Sequence, residues 1–118
     1  MDTYSKLHVS FFRTDSGREP VREWLKDLDA ETKKTIGEDI KTVQYGWPLG
    51  MPLVRELDTN LWEIRIHLRQ RIARILFTVV GDILVILHDF IKKSQKTPSG
   101  DIKLAKDRIK NLRVKNET

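Results

Sequence analysis

Apolar and polar residues alternate through much of Leu61–Lys96, LWEIRIHLRQRIARILFTVVGDILVILHDFIKKSQK, and a period of two predicts β-strands joined by tight turns. The pattern places strands over roughly Leu61–Leu68, Arg71–Val80 and Ile83–His88, with turns at Gln70 and at Gly81-Asp82. Connections this short make an antiparallel meander. The third of these strands is apolar on both faces, which predicts a central place in the sheet. In the first, Trp62, Ile64, Ile66 and Leu68 fall on a core face under helices, and Glu63, Arg65, His67 and Arg69 on a polar face.

Upstream, Leu7, Val9 and Phe11 alternate with His8, Ser10 and Phe12, a short strand broken by Thr14–Gly17. Glu19-Pro20 opens a helix with proline early, where a missing N–H is harmless. Val21, Trp24, Leu25 and Leu28 give it one apolar stripe. A second helix starts near Ala30, carries Ile36, Ile40 and Val43 and fades at Gly46-Trp47-Pro48, forming a hairpin with the first. Residues 48–60 read as a loop with a short extended piece at Val54–Leu57. Thr97-Pro98 is a cap and start signal for a last helix striped by Ile102, Ala105, Ile109 and Leu112. The order is β-α-α-β-β-β-α: one α+β domain over residues 1–118, with helices against one face of a small, mainly antiparallel sheet.

Composition then narrows the chemistry. The chain has 118 residues, 39% hydrophobic and 33% charged, with no cysteine. That excludes disulfides, thiolate nucleophiles and cysteine-type zinc sites, and it fits a reducing cytoplasm. The most apolar stretch, Ile72–Leu87, is interrupted by Arg74, Gly81 and Asp82, so no membrane span is expected. No basic segment with an apolar core opens the chain, so no secretory signal is expected. The net charge of +5 is unevenly spread: residues 1–60 hold nine Lys/Arg against eleven Asp/Glu, and residues 90–118 hold nine against three. Positive charge gathered in the last quarter suits nucleic acid or an acidic protein.

The residues on the strands suggest which polyanion. Arg74 interrupts an apolar series, and a sheet arginine needs an anion or a carboxylate such as Glu63. Arg65 and Arg74 can stabilise a crowded phosphorane, while an acid and a base serve the 2′-OH attack that cleaves RNA. His67 and His88 are candidates for proton transfer, and so is a lysine such as Lys93, its pKa lowered by Lys92 beside it. Lys92, Lys93, Lys96 and Arg69 supply an RNA-docking surface, and Phe90 can stack on a base. There is no glycine-rich phosphate loop, no GxSxG and no carboxylate–histidine cluster with metal-ligand spacing, so neither cofactor nor metal is expected.

The same residues resemble a known family. LxxxLWEIRIHL at 57–68, RIARILF at 71–77 and ILVILHDFIKKSQKTPSGDIKLAKDRI at 83–109 look like the HigB branch of the RelE/ParE toxin superfamily, in its phage-derived, Gp-type members. The signature residues are Leu61–Arg65, Arg74, Leu87–Lys93, Lys96–Pro98 and Ala105–Arg108. The resemblance implies the toxin of a type II toxin–antitoxin pair, an mRNA endoribonuclease acting on ribosome-engaged message. It implies a HigA-like helix-turn-helix antitoxin as partner, rRNA contacts, and operator DNA bound only through the toxin–antitoxin complex. It assigns Arg65 and Arg74 to the scissile phosphate and Lys92, Lys93 and Lys96 to RNA or rRNA. The superfamily's frequent catalytic tyrosine near the sheet's end has no counterpart after Tyr45, and Phe77 and Phe90 cannot move protons. Two rival expectations follow from the same fold: a ParE-like protein that inhibits DNA gyrase by binding, or a degenerate toxin that only binds its antitoxin.

Overall fold

Among the described residues eight elements follow in order: β1 (His8–Phe11), α1 (Pro20–Lys26), α2 (Ala30–Gly46), β2 (Val54–Asp58), β3 (Leu61–Leu68), β4 (Arg71–Val80), β5 (Ile83–Lys92) and α3 (Ser99–Glu117). This computed structural model describes residues 6–92 and 97–117, with side chains over 6–91 and 97–112. The strands form one sheet in the order β1-β5-β4-β3-β2. Neighbours from β2 to β5 are antiparallel, and β1 joins β5 in parallel, His8 opposite Ile83. Among the described residues no helix is long and apolar enough to cross a membrane.

The predicted meander is present, and β5, flanked by β1 and β4, is internal as its two apolar faces require. Two expectations change. The extended piece at Val54–Leu57 is a full strand, β2, which pairs with β3 and makes the order β-α-α-β-β-β-β-α. The helices also cover both faces of the sheet. On one face α1 and α2 bring Val21, Ile36, Ile40 and Val43 onto Ile64, Ile66, Ile75, Phe77 and Ile86. On the other, Ala105 and Ile109 of α3 pack with Phe12 on Leu61, Leu76, Val85 and Leu87. The face holding Glu63 and Arg65 is therefore not simply polar. The amphipathic stripe of α3 needed an apolar surface, and Val85 and Leu87 of β5 supply much of it.

Local chemistry accounts for the element ends. Pro20 opens α1, and the Asp29 carboxylate accepts the Thr32 backbone N–H at 3.1 Å to cap α2. Thr97 does not cap α3, because its hydroxyl is turned to the sheet; Pro98 instead offers its carbonyl to the Asp101 and Ile102 N–H groups. Two-residue turns connect β2 to β5, each with one residue at positive φ: Asn60 at 58°, Gln70 at 65° and Gly81 at 61°.

One irregularity sets which β5 side chains meet the site. Leu76 pairs with His88 but Phe77 pairs with Ile86, so Leu87 is an extra residue in β5. A bulge shifts the alternation by one, since each residue inserted moves all later side chains to the opposite face. It puts His88 and Phe90 on the α3 side, where continued alternation with Ile86 would have pointed them at α2. Arg108 of α3 donates to the Leu87 carbonyl, so this bulge is satisfied by a helix side chain.

Gly81→Ala tests the turn geometry. A Cβ there would meet no atom within 4 Å, so the cost is backbone alone. The expected loss is about 1 kcal/mol in urea unfolding, with an unchanged m-value.

Candidate functional site

The strand register brings the predicted arginines together. Arg65 on β3 is the direct cross-strand partner of Arg74 on β4, and Arg74 in turn faces Phe90 on β5. One row along, Glu63 lies between Arg55 of β2 and Leu76 of β4. All of these positions are on the α3 side of the sheet.

Arg74 and Glu63 are both 0% exposed, and Thr97, just before α3, is 5% exposed. The Arg74 guanidinium, through Nη1, donates to Glu63 Oε1 at 3.4 Å and to Thr97 Oγ1 at 3.1 Å. The Thr97 hydroxyl donates in turn to Glu63 Oε2 at 2.6 Å. Three side chains from β3, β4 and the approach to α3 thus close a buried junction. A buried ion pair gains little over an apolar replacement, but removing one partner strands the other charge.

Arg65 differs from its neighbour. It is half-buried, and its Nε lies buried without a hydrogen-bond partner. Like charges opposite each other across two strands repel, and Glu63 pairs with Arg74 of the two. The arrangement is thus one cation in excess, with Arg65 on the open side, and it can hold an anion.

The candidate proton carriers separate. His67 is exposed on β3, two residues and roughly 6.6 Å beyond Arg65 on the same face. His88 lies two strands from Arg65, roughly 10 Å across the sheet. Its Nε2 is 2.6 Å from Oδ1 of Asp101 in the first turn of α3, so it ties helix to sheet. Phe90 is half-buried against the α3 core with its ring 5.9 Å from that of His88. Arg69 is exposed in the β3–β4 turn. Lys92 ends β5 opposite Ile72, while its side chain, Lys93 and Lys96 lie outside the described residues. Among the described residues no three His, Asp or Glu side chains are placed to share a metal ion.

The sequence reading singled out neither Thr97 as a partner of Arg74 nor Asp101 as the partner of His88. Neither contact follows a helix or strand spacing; both depend on where α3 lands. The carboxyl of Asp89, next to His88, is pushed up to about 6, chiefly by burial and despite the nearby charges of His88 and Arg108.

Two predictions follow from these geometries. Arg74→Ala leaves Glu63 buried without its cation and is expected to lose about 3–5 kcal/mol in denaturant unfolding. A loss below about 1 kcal/mol would mean that the junction does not hold α3 to the sheet. For Asp89 the folded-state pKa exceeds the unfolded value of about 3.9. The native state therefore binds the extra proton, and stability falls as pH rises from about 4 to about 6. Asp89→Asn should raise the melting temperature above pH 6 and lose that advantage below pH 4; a pH-independent difference would contradict it.

Comparison with curated proteins finds no match. A family model does match: that of the phage-derived protein Gp49-like family (DUF891), over residues 23–110. The matched span runs from α1 through most of α3 and takes in Glu63, Arg65, Arg74, His88 and Thr97. It covers more than half of the chain, and the protein is a member of the phage-derived Gp49-like family.

Proposed function

We propose that this protein is the toxin of a toxin–antitoxin pair and acts as a ribosome-dependent mRNA endoribonuclease. The family match supports a toxin–antitoxin context. The observation that carries the nuclease reading is the Arg65–Arg74 pair, set opposite each other, with Glu63 bound to Arg74 and no carboxylate bound to Arg65 among the described residues. Such an arrangement is retained against its own repulsion when an anion completes it, and a phosphodiester is that anion.

In this reading Arg65 donates to the scissile phosphate from the open side of the site. Arg74, fully buried, contributes its field from beneath and sets the position of Arg65. The ribose 2′-OH attacks phosphorus, the 5′ oxygen leaves, and a 2′,3′-cyclic phosphate remains, with no metal required. His67, exposed and nearest to Arg65, is the side chain best placed to move a proton. His88 is held by Asp101 and positions α3 instead. Lys92, Lys93 and Lys96 dock RNA or rRNA, and a HigA-like helix-turn-helix antitoxin neutralises the toxin and carries it to operator DNA.

Arg65→Ala is the informative variant, since Arg74→Ala reports on folding first. Induced in cells, the wild type should produce new mRNA 5′ ends inside translated codons. Arg65→Ala should reduce them about 100-fold or more while still co-purifying with the antitoxin. Undiminished cleavage by the variant would remove Arg65 from the chemistry. Intact message with DNA damage after wild-type induction would favour gyrase inhibition instead.

A further inference from the structure

The ten residues Tyr45–Val54, YGWPLGMPLV, carry no charged side chain in a chain that is 33% charged. They close α2, form the connection to β2 and begin that strand. Met51 and Tyr45, 59% and 54% exposed, are the two most exposed large hydrophobic side chains among the described residues. Pro48 and Pro52 are exposed with them, and Leu49 folds back over Gly46, 3.4 Å from where a Cβ there would stand. Connections run over the surface and are ordinarily polar, so a contiguous apolar one marks a contact surface.

This surface is held in place from below. The Trp47 ring meets Trp62 and Phe77 edge-on, with centroids 4.8 and 5.5 Å away. The Trp47 N–H donates to the Val43 carbonyl at 3.0 Å, and the Val54 N–H to that of Gly50 at 3.1 Å. A partner therefore meets a preformed platform and loses little affinity to ordering it. Trp62 and Phe77 belong to the core under α1 and α2, whereas the Arg65 side chain is on the α3 side. The surface is thus separate from the proposed phosphate site.

Charge beside the apolar surface narrows what can cover it. Lys6 Nζ donates to the Tyr45 hydroxyl at 3.2 Å and lies 5.2 Å from the ring centroid, and Lys41 Nζ lies 5.8 Å from the same centroid. Neither lysine is in an ion pair among the described residues, and Glu38, one turn before Lys41, forms none with it. Tryptophan, tyrosine and methionine are types that enrich the centre of protein–protein contacts. A nucleic acid would satisfy the lysines and leave Met51 and Pro52 in water. Resting on the toxin–antitoxin reading for the partner's identity, we infer that Tyr45–Leu53, with Lys6 and Lys41, is the surface on which the antitoxin docks. The docking segment lays apolar side chains on Leu49 and Met51 and sets carboxylates on the two lysines.

The experiment is calorimetric titration of the purified chain, at low and high salt, with the helix-turn-helix antitoxin of the proposed pair, the product of the adjoining gene. Met51→Glu should weaken binding about 30-fold or more, because it sets a charge among apolar contacts. Lys6→Glu and Lys41→Glu should each weaken it several-fold and flatten its salt dependence. Lys103→Glu, in α3 on the far side of the sheet, should change nothing. All four side chains are exposed, so unchanged melting temperatures are expected. If Met51→Glu lowers its own, Lys41→Glu carries the test. Wild-type affinity in both Met51→Glu and Lys41→Glu would overturn the docking surface and leave the toxin–antitoxin reading standing. Absence of binding by the wild type would remove both. A wild-type dimer in sedimentation that Met51→Glu dissociates would give the surface to a second copy of the chain and overturn the assignment.

Discussion

A charged pair inside a sheet that is covered on both faces is the constraint from which the rest of this structure follows. Arg74 and Glu63 sit where α3 excludes water, so neither can be left without the other. Thr97 completes the junction and fixes where the chain comes back onto the sheet before α3 begins. His88 and Asp101 fasten the first turn of the same helix one row away. The apolar stripe of α3 supplies most of the burial, but a greasy stripe can slide. Two directional polar contacts at the helix start give it one register.

The same constraint explains why the two arginines behave differently although they are opposite one another. Arg74 is directed toward Glu63 and Thr97 and is sealed under the helix. Arg65, one strand nearer the edge, keeps a free side. The bulge at Leu87 serves this arrangement from the far strand: by resetting the alternation of β5 it delivers Phe90 opposite Arg74 and His88 to Asp101. Without it both rings would project among α1 and α2, and neither polar contact of β5 with α3 could form.

Strands β3, β4 and β5, both early helices and the stripe of α3 were legible because period and turn chemistry are local properties. The strand β2 was underread, since its exposed Arg55 and Glu56 and its bulge before Asp58 blur the alternation. The placement of α3 on the second face was missed for a different reason. Glu63, Arg65 and His67 make a polar-looking series, and nothing in a strand's own sequence tells that its first member, Glu63, will be roofed by a helix while His67 stays exposed. The arginine pair was legible as residue types but not as geometry. That Arg65 faces Arg74 depends on a two-residue turn fixing the register, and that Arg74 is closed off depends on Thr97, 23 residues away.

The parallel pairing of β1 with β5 carries a consequence for how the chain matures. Among the described strands β1, at His8–Phe11, has one neighbour, and that neighbour begins at Ile83. A contact between residues this far apart carries a high loop-closure cost and forms late. During synthesis β1 therefore waits, unpaired, until β5 has been made. The face that bears Arg74 waits longer still, for Ala105 and Ile109. Assembly of this domain is thus gated by α3, and the face of the sheet that bears Arg74 is withdrawn from water only when that helix arrives.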